Sequence, residues 1–298
     1  MAREHAYVVS PEASRLAGRK TRRVAVLVPH LSRWFFGAML DGVESVLRDE
    51  GMDLLLYHVG DMEDRHEFFE KLPARRKVDV VIAIAFPVEE LERRRLERLL
   101  NVNVVAAGGQ QAAYPHVCID DLKAGRQAVD HLIGLGHRDI AMIAAVDPEQ
   151  PVEPSGRTSA YYDALRDAGL PVDPRLVVTT DWGGENGAHA MSRLLSQPRV
   201  PTAVYAHSDE VAFGAMRSIR RAGLRIPEDI SIVGIDDHPH AELLDLTTVR
   251  QPVYEQGQMA ARLAMTVLDP QVRAEPESVV VPTQLIIRTT TGPPTPAR

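Results

Sequence analysis

The sequence predicts an α/β protein made of two doubly wound parallel-sheet lobes with a central ligand cleft. Three observations predict this fold. Short aliphatic runs alternate with helical stretches of roughly 10 to 17 residues, the spacing that right-handed β-α-β crossovers need. About ten such runs occur, which is too many for one small sheet. The chain has 298 residues, 45% of them hydrophobic, which is enough for two separate cores.

Strands are predicted where β-branched and aliphatic residues run together between turn signals. Parallel strands buried on both faces give this kind of continuous apolar run. The predicted strands are Val24–Val28, Asp53–Val59, Val78–Ala85, Val102–Ala106, His116–Ile119, Ile140–Ala144, Val177–Thr180, Ala203–Ala206, Ser231–Ile235 and Ser278–Ile287.

Helices are predicted where apolar residues recur at spacings of three and four and a glycine follows. The first helix has one apolar face and ends at Gly51, a second spans residues 120–135 before Gly136, and a third spans 209–222 before Gly223. The apolar face of the first helix consists of Phe36, Met39, Leu40, Val43, Val46 and Leu47.

The chain is expected to cross between the lobes more than once. Residues 24–136 with 250–276 are predicted to form the N-terminal lobe, and 137–249 with 277–291 the C-terminal lobe. Residues 1–23 precede the first strand and differ from the regular body. The tail 292–298, GPPTPAR, is rich in proline and lacks apolar periodicity, so it is predicted to be disordered.

Composition limits the partners and the compartment. A formal net charge of −7 excludes a surface that is basic throughout, so nucleic-acid contact requires a local basic segment. Cys118 is the only cysteine, which excludes an internal disulfide framework and fits a reducing cytoplasm. The first residues contain no apolar signal-peptide core, and no apolar run of about 18 residues occurs. A cytoplasmic protein without membrane contact is therefore expected.

The common catalytic and cofactor signatures are absent. No G-x-x-x-x-G-K-[ST] loop, H-E-x-x-H helix or G-x-S-x-G elbow occurs. His238 and His240 have an H-x-H spacing, but two ligands without a third seldom hold a metal ion. We therefore expect no enzyme activity, no metal and no cofactor.

Five collinear segments carry a family resemblance. The chain resembles the LacI/GalR transcription regulators in order from Tyr7 to Thr291, which implies a type I periplasmic-binding-protein-like fold. The matching segments are RRVAVLVPHLSRWFFGAMLDGVESVLRDEG, VCIDDLKAGRQAVDHLIGLGHRDIAMI, GRTSAYYDALRDAGL, SDEVAFGAMRSIRRAGLRIPEDISIVGIDD and LTTVRQP.

Polar residues at strand ends are the candidates for ligand contact. Asp236 and Asp237 end a buried strand, where open α/β sheets place ligand-contacting groups, and one carboxylate can accept two hydroxyls. Both acids could instead cap the following loop, and Asp120 could be the N-cap of its helix.

The resemblance adds further ligand contacts. It implies an effector-contacting arginine at Arg157, whose alternative is a solvated surface position, and a stacking aromatic at Trp182. It also implies that one of Phe35 and Phe36 faces the cleft while the other packs inward. Arg33 and Trp34 stand where relatives commonly have Asn-Pro, which leaves effector identity open. Ser208 stands where relatives often have asparagine, and this shorter side chain weakens the case for chelation of sugar hydroxyls at that position. The complete predicted ligand-binding set is His30, Phe35, Phe36, Ala85, Asp120, Arg157, Trp182, Ser208 and Asp236.

The head of the chain resembles the family's hinge. Ser10 could cap a short helix that carries Leu16, and relatives insert a leucine here into the minor groove. Arg15, Arg19 and Lys20 are predicted to contact DNA phosphates. Relatives begin with a helix-turn-helix headpiece. This sequence does not include one, because the gene start was placed too late, because the chain was truncated, or because the regulator naturally has none.

The resemblance implies a homodimeric regulator that binds a sugar-like effector between its lobes. Effector binding would change the affinity of the hinge for operator DNA by about 1 to 3 kcal/mol, in either direction. A solute-binding protein of a sugar transporter shares the fold and remains the alternative, and an enzyme on the same fold is a more remote one.

Overall fold

The computed structural model describes residues 21–71, 77–85, 87–100, 102–109, 111–146, 155–268 and 278–295. The strands, in chain order, are β1 Arg23–Val28, β2 Asp53–His58, β3 Val80–Ile84, β4 Asn103–Ala107, β5 His116–Ile119, β6 Ile140–Ala145, β7 Val177–Thr180, β8 Ala203–Ala206, β9 Ser231–Asp236, β10 Thr247–Arg250, β11 Ser278–Val281 and β12 Gln284–Ile286. The helices are α1 Trp34–Asp49, α2 Met62–Lys71, α3 Glu90–Leu100, α4 Asp121–Gly134, α5 Gly156–Asp167, α6 Gly184–Leu195, α7 Asp209–Arg221, α8 Pro239–Leu243 and α9 Val253–Val267, with a 3₁₀ turn at Pro174–Leu176.

The first compact unit comprises the described residues up to Cys118 together with those of Val253–Val279. Its six-stranded sheet has the order β11-β5-β4-β3-β1-β2. The central strands β1 and β3 are buried almost throughout, as their unbroken apolar sequences require. Helices α1 and α9 pack closely because Gly42 and Gly257 carry no side chain where the opposing backbone approaches.

The second compact unit comprises the described residues of Ile119–Pro252 and those from Val280 onward. Its sheet has the order β12-β10-β9-β8-β6-β7, and only the pairing of β12 with β10 is antiparallel among its resolved pairings. Helices α6 and α7 are in close contact, since a Cβ on Gly214 would overlap the carbonyl oxygen of Gly184. Their apolar faces cover one side of the sheet and form its core with Val204, Ala206 and Ile232.

The chain enters β1 through a tightly held turn. The Asp79 carboxylate accepts hydrogen bonds from the backbone N–H groups of Thr21 and Arg22, at 2.9 and 2.8 Å. Arg22 has a left-handed backbone, with φ of 58°, and its guanidinium donates to the carbonyl oxygens of Glu50 and Gly51. The Arg22 side chain therefore caps the carboxyl end of α1.

The fold class predicted from the sequence is confirmed, and nine of the ten predicted strands are present with small changes at their ends. The tenth prediction, one strand over Ser278–Ile287, was wrong, because Pro282 lacks an N–H and separates β11 in the first sheet from β12 in the second. Strand β10 was not predicted.

Two boundaries also differ from expectation. The units divide after Cys118 rather than near residue 136, because α4 packs against α5 and against the second sheet. The tail was predicted to be disordered from Gly292, but its described part is held in place: the Gly292 carbonyl accepts from His137 and from Ser231, and Thr295 donates to the Glu228 carbonyl at 2.6 Å.

Two further predictions concern the hinge residues and membrane contact. The hinge residues Arg15, Leu16, Arg19 and Lys20 lie outside the described residues. Across the described part of the chain, no helix combines the length and apolar character that a membrane span requires.

Candidate functional site

The second sheet has a reversal of strand order at its centre. From β6 the chain moves to β7 on one side and then returns to β8 on the other side. Such a reversal opens a crevice at the carboxyl ends of the two strands, and open α/β sheets bind ligands there. A ligand site is therefore expected among the side chains near the carboxyl ends of β6, β8 and β9.

Arg157 on α5 is the central charge at this edge. Its Nε donates to Asp121 Oδ1 at 2.7 Å, and its Nη1 lies 3.9 Å from Asp236 Oδ1. Nη1 also donates to the carbonyl oxygen of His207. Burial lowers the pKa of Arg157, but the charges of the two aspartates outweigh it and the net pKa is raised. With 12% of the side chain exposed, Arg157 is a buried charge held by two acids rather than a surface arginine.

Asp236 ends β9 in an unusual backbone conformation. Its φ is 135°, a region that residues with a side chain rarely adopt, and such strain is concentrated at functional sites. The carboxylate is buried and accepts a hydrogen bond from Gln251 Nε2 at 2.6 Å. The next residue, Asp237, pairs with Arg250 and Arg288 at 2.6 Å each, so it stabilises the loop while Asp236 is the group near Arg157.

A second buried carboxylate lies beneath this site. Asp209 accepts from Thr248 Oγ1 at 2.6 Å and from the backbone N–H of His238 at 2.8 Å. Burial and the charge of Asp236 raise the pKa of Asp209 well above its usual range. Gly234 is required opposite it, because a Cβ there would overlap the Asp209 carboxylate. Asp209 was not predicted as a site residue, since an acid in the first turn of a helix is common.

Two predicted ligand residues are helix caps. Asp120 is exposed and its side chain accepts from the Lys123 backbone N–H, so it is the N-cap of α4. Ser208 is buried and accepts from the Val211 N–H, so it is the N-cap of α7. Each retains further hydrogen-bonding capacity, which leaves ligand contact chemically open at both.

Trp182 lies in the loop between β7 and α6. Its side chain is partly buried and packs against the core beside these elements, and its backbone carbonyl accepts from Asn186 Nδ2. Part of the indole therefore serves the core.

His207 follows β8 directly and was not predicted. Its side chain is completely buried, and neither ring nitrogen has a hydrogen-bond partner among the described residues. The backbone of Ala145, at the end of β6, lies close to the ring. Burial and the charge of Arg157 lower the pKa of His207 to about 3. A histidine that precedes a capping serine has no sequence pattern that would have revealed this.

The first sheet has the same reversal, between β1 and β3. His30 and Ala85 come shortly after these two strands, and Ala85 has a left-handed φ of 59°. Phe36 is buried and its ring is edge-on to those of His30 and Phe35, at 5.6 and 5.3 Å between centroids. Phe35 is less buried and its ring tip lies against Gly108. Phe36 is therefore the member of the pair that packs inward, and the orientation of Phe35 toward a ligand stays a prediction.

The H-x-H pair gives no sign of a metal site. The His238 ring accepts a hydrogen bond from the His240 backbone at 2.9 Å, and its ring centroid is 4.7 Å from that of His240. The residues that the structure describes contain no group of three or more potential ligands placed to hold a metal ion.

Comparison with known proteins agrees with this architecture. A family model for a periplasmic binding protein-like domain matches residues 129–291. The chain is 32% identical over 296 residues to the HTH-type transcriptional repressor CytR of Escherichia coli (strain K12), covering 97% of this chain and 85% of that protein.

Solved structures show the same similarity. A transcriptional regulator CelR–cellobiose complex has a TM-score of 0.81 and 30% identity, covering 94% of this chain and 88% of that one. A LacI family regulator from Enterococcus faecium with bound ribose has a TM-score of 0.80 and 28% identity, covering 91% and 99%.

The fold and the family match together define a periplasmic-binding-protein-like ligand-binding core. The relatives that share nearly its whole length are transcription regulators, so this class is favoured over the transporter-associated binding proteins. The chain belongs to the LacI family of transcriptional regulators.

Proposed function

We propose that this chain is the effector-sensing core of a transcription regulator. A small polar molecule binds at the carboxyl edge of the second sheet and changes the affinity of the protein for operator DNA. The observation that carries the proposal is the buried Arg157, which lies between Asp121 and Asp236 at the reversal of strand order. A guanidinium and carboxylates that already partner one another can exchange these contacts for the hydroxyls of a ligand.

The charge of the site favours an uncharged, sugar-like effector. Asp120, Asp121 and Asp236 outnumber Arg157, and the guanidinium is already paired. A phosphate or carboxylate group would meet net repulsion here. The related CelR and Enterococcus faecium structures contain cellobiose and ribose, which are neutral polyols.

The remaining predicted contacts complete the proposed ligand set. In the second unit they are Asp120, Trp182 and Ser208, which also cap helices or pack against the core. Ligand contact by the first-unit residues His30, Phe35 and Ala85 stays a prediction, and Phe36 is buried with its ring edge-on to that of Phe35. The proposed role of the protein is binding rather than catalysis.

Coupling to DNA is proposed through the head of the chain. Arg15, Arg19 and Lys20 would contact phosphates and Leu16 would enter the minor groove, in a cytoplasmic homodimer. Arg22 instead donates to the carbonyl oxygens of Glu50 and Gly51 at the end of α1. The 1 to 3 kcal/mol of coupling expected for allosteric regulators corresponds to about 5- to 150-fold in DNA affinity.

A thermal-shift screen tests the site. Sugars, polyols, nucleobases and amino acids are screened against the wild type, against Asp236→Ala and against Arg166→Met, which alters an exposed arginine on α5. Compounds that stabilise the wild type and Arg166→Met but not Asp236→Ala support the proposal. A compound that stabilises all three proteins equally contradicts it.

Assembly and DNA binding are tested with the full chain. Light scattering after size-exclusion chromatography is expected to give twice the chain mass. Gel-shift titration of DNA selected from a random-sequence pool is expected to change when the screened compound is added. A monomeric mass would contradict the proposed homodimer. A DNA affinity that does not change when the compound is added would contradict the proposed regulation.

A further inference from the structure

His207 is the only described residue whose buried side chain has two polar atoms without a hydrogen-bond partner. We propose that the imidazole of His207 is a direct hydrogen-bonding partner of the effector and selects an uncharged group that can both donate and accept. This inference rests on the proposed function, because it needs an effector at the carboxyl edge of the second sheet.

The position of His207 supports this role. It follows β8, and its ring approaches the backbone of Ala145 at the end of β6, so the imidazole lies at the strand-order reversal itself. Its ring centroid is 5.5 Å from that of Tyr205, and its carbonyl accepts from Arg157. The imidazole therefore belongs to the same cluster as the proposed effector contacts.

The protonation state of His207 determines what it can recognise. Burial and the charge of Arg157 lower its pKa to about 3, so the ring is neutral at physiological pH. A neutral imidazole offers one N–H donor and one lone-pair acceptor. A hydroxyl or an amide can pair with both kinds of group, whereas an ammonium group could use only the acceptor and a carboxylate only the donor.

Stability alone does not explain a histidine here. A buried polar atom without a partner destabilises the fold, whereas an apolar side chain of similar size would not. Residues that lower stability without making a compensating contact are characteristic of binding sites. The 3.9 Å contact of Arg157 with Asp236 is the looser of its two ion pairs, so it is the contact that an effector would exchange first.

Three variants test the proposal. His207→Leu removes both polar groups, His207→Gln keeps one donor and one acceptor, and His189→Leu is the control on α6, where the histidine is exposed. The binding probes are cellobiose, ribose and any compound that stabilises the wild type in the screen described above. Affinity is measured by calorimetry at one fixed pH of about 7, and melting temperature is measured without ligand.

The proposal predicts a split between affinity and stability. His207→Leu is expected to weaken binding by about tenfold or more and to leave the ligand-free melting temperature equal or higher. His207→Gln is expected to retain affinity within about threefold, as the loss of one weak hydrogen bond would allow. His189→Leu should match the wild type in both measurements.

Each contrary result has a distinct meaning. Unchanged affinity in His207→Leu, with binding lost in Asp236→Ala, overturns the role of His207 and leaves the proposed function intact. A lower ligand-free melting temperature in His207→Leu also overturns it, whatever binds, because the ring then has partners within the fold. A wild type that binds no probe refutes the effector site itself, and the role of His207 fails with it.

Discussion

Replacing Arg157 with methionine is the most direct test of the site's electrostatics. Methionine keeps the apolar stem of the side chain but leaves Asp121 and Asp236 facing one another without the guanidinium. Removing one partner from a buried ion pair costs about 3 to 5 kcal/mol. Asp121 is partly exposed, at 27%, so solvent compensates in part and the lower figure applies.

The expected change is large enough to measure by calorimetry or circular dichroism. A loss of about 3 kcal/mol lowers the melting temperature of a unit of this size by roughly 6 to 12 °C. Adding Asp236→Asn to Arg157→Met removes one uncompensated charge, so the double variant is expected to recover about 1 kcal/mol or more.

Arg166→Met is the matched control on the same helix. Its guanidinium is 70% exposed and pairs with Asp163 three residues earlier, so the expected loss is below about 0.5 kcal/mol. The electrostatic reasoning is refuted if the two methionine variants lose similar stability, or if Asp236→Asn makes Arg157→Met less stable.

Three further predictions concern the scaffold. Gly214→Ala should lower the free energy of unfolding by about 2 kcal/mol, measured by urea denaturation, because its methyl group overlaps the Gly184 carbonyl. Gly37→Ala on the open face of α1 is the control and should be neutral or slightly stabilising; equal urea midpoints in the two variants would contradict the close helix contact. Burial lowers the pKa of His137, so its contribution to stability is complete above the unfolded pKa of about 6.5 and declines as the pH falls. His137→Gln should therefore flatten the decline of the urea midpoint between about pH 7.5 and 5, and an unchanged slope would contradict this role of His137. Asp79→Ala should cost about 1 to 2 kcal/mol and accelerate tryptic cleavage at the start of β1, and an unaltered cleavage rate would show that the turn is held by other contacts.

The strands could be predicted from the sequence because a parallel sheet buries both faces and gives continuous apolar runs. Strand β10, Thr247–Arg250, escaped this rule because it begins with two threonines, and their burial is explained only by partners distant in sequence. Thr247 bonds with Thr290, and Thr248 donates to Asp209. The break at Pro282 was readable in principle, since proline cannot pair within a sheet.

The charged part of the site was predictable for a different reason. Asp236 and Arg157 occupy strand-end and helix-start positions in segments that resemble the family, and the structure brings them to 3.9 Å. Asp209 and His207 were missed because their importance comes from burial, and burial at a strand end depends on which helices cover it. Local sequence does not contain that information.

Neither unit is continuous along the chain, and this has consequences for biosynthesis. The first sheet receives β11, and α1 receives its partner α9, only after the ribosome has made the whole body of the second unit. Until α9 has been synthesised, the nascent first half therefore has an uncovered α1 face, and this exposed apolar surface is of the kind that chaperones bind. Fragments that stop at Cys118 would keep that face open permanently, so expression of isolated halves should yield aggregates, whereas the intact polypeptide closes both units with its final segment.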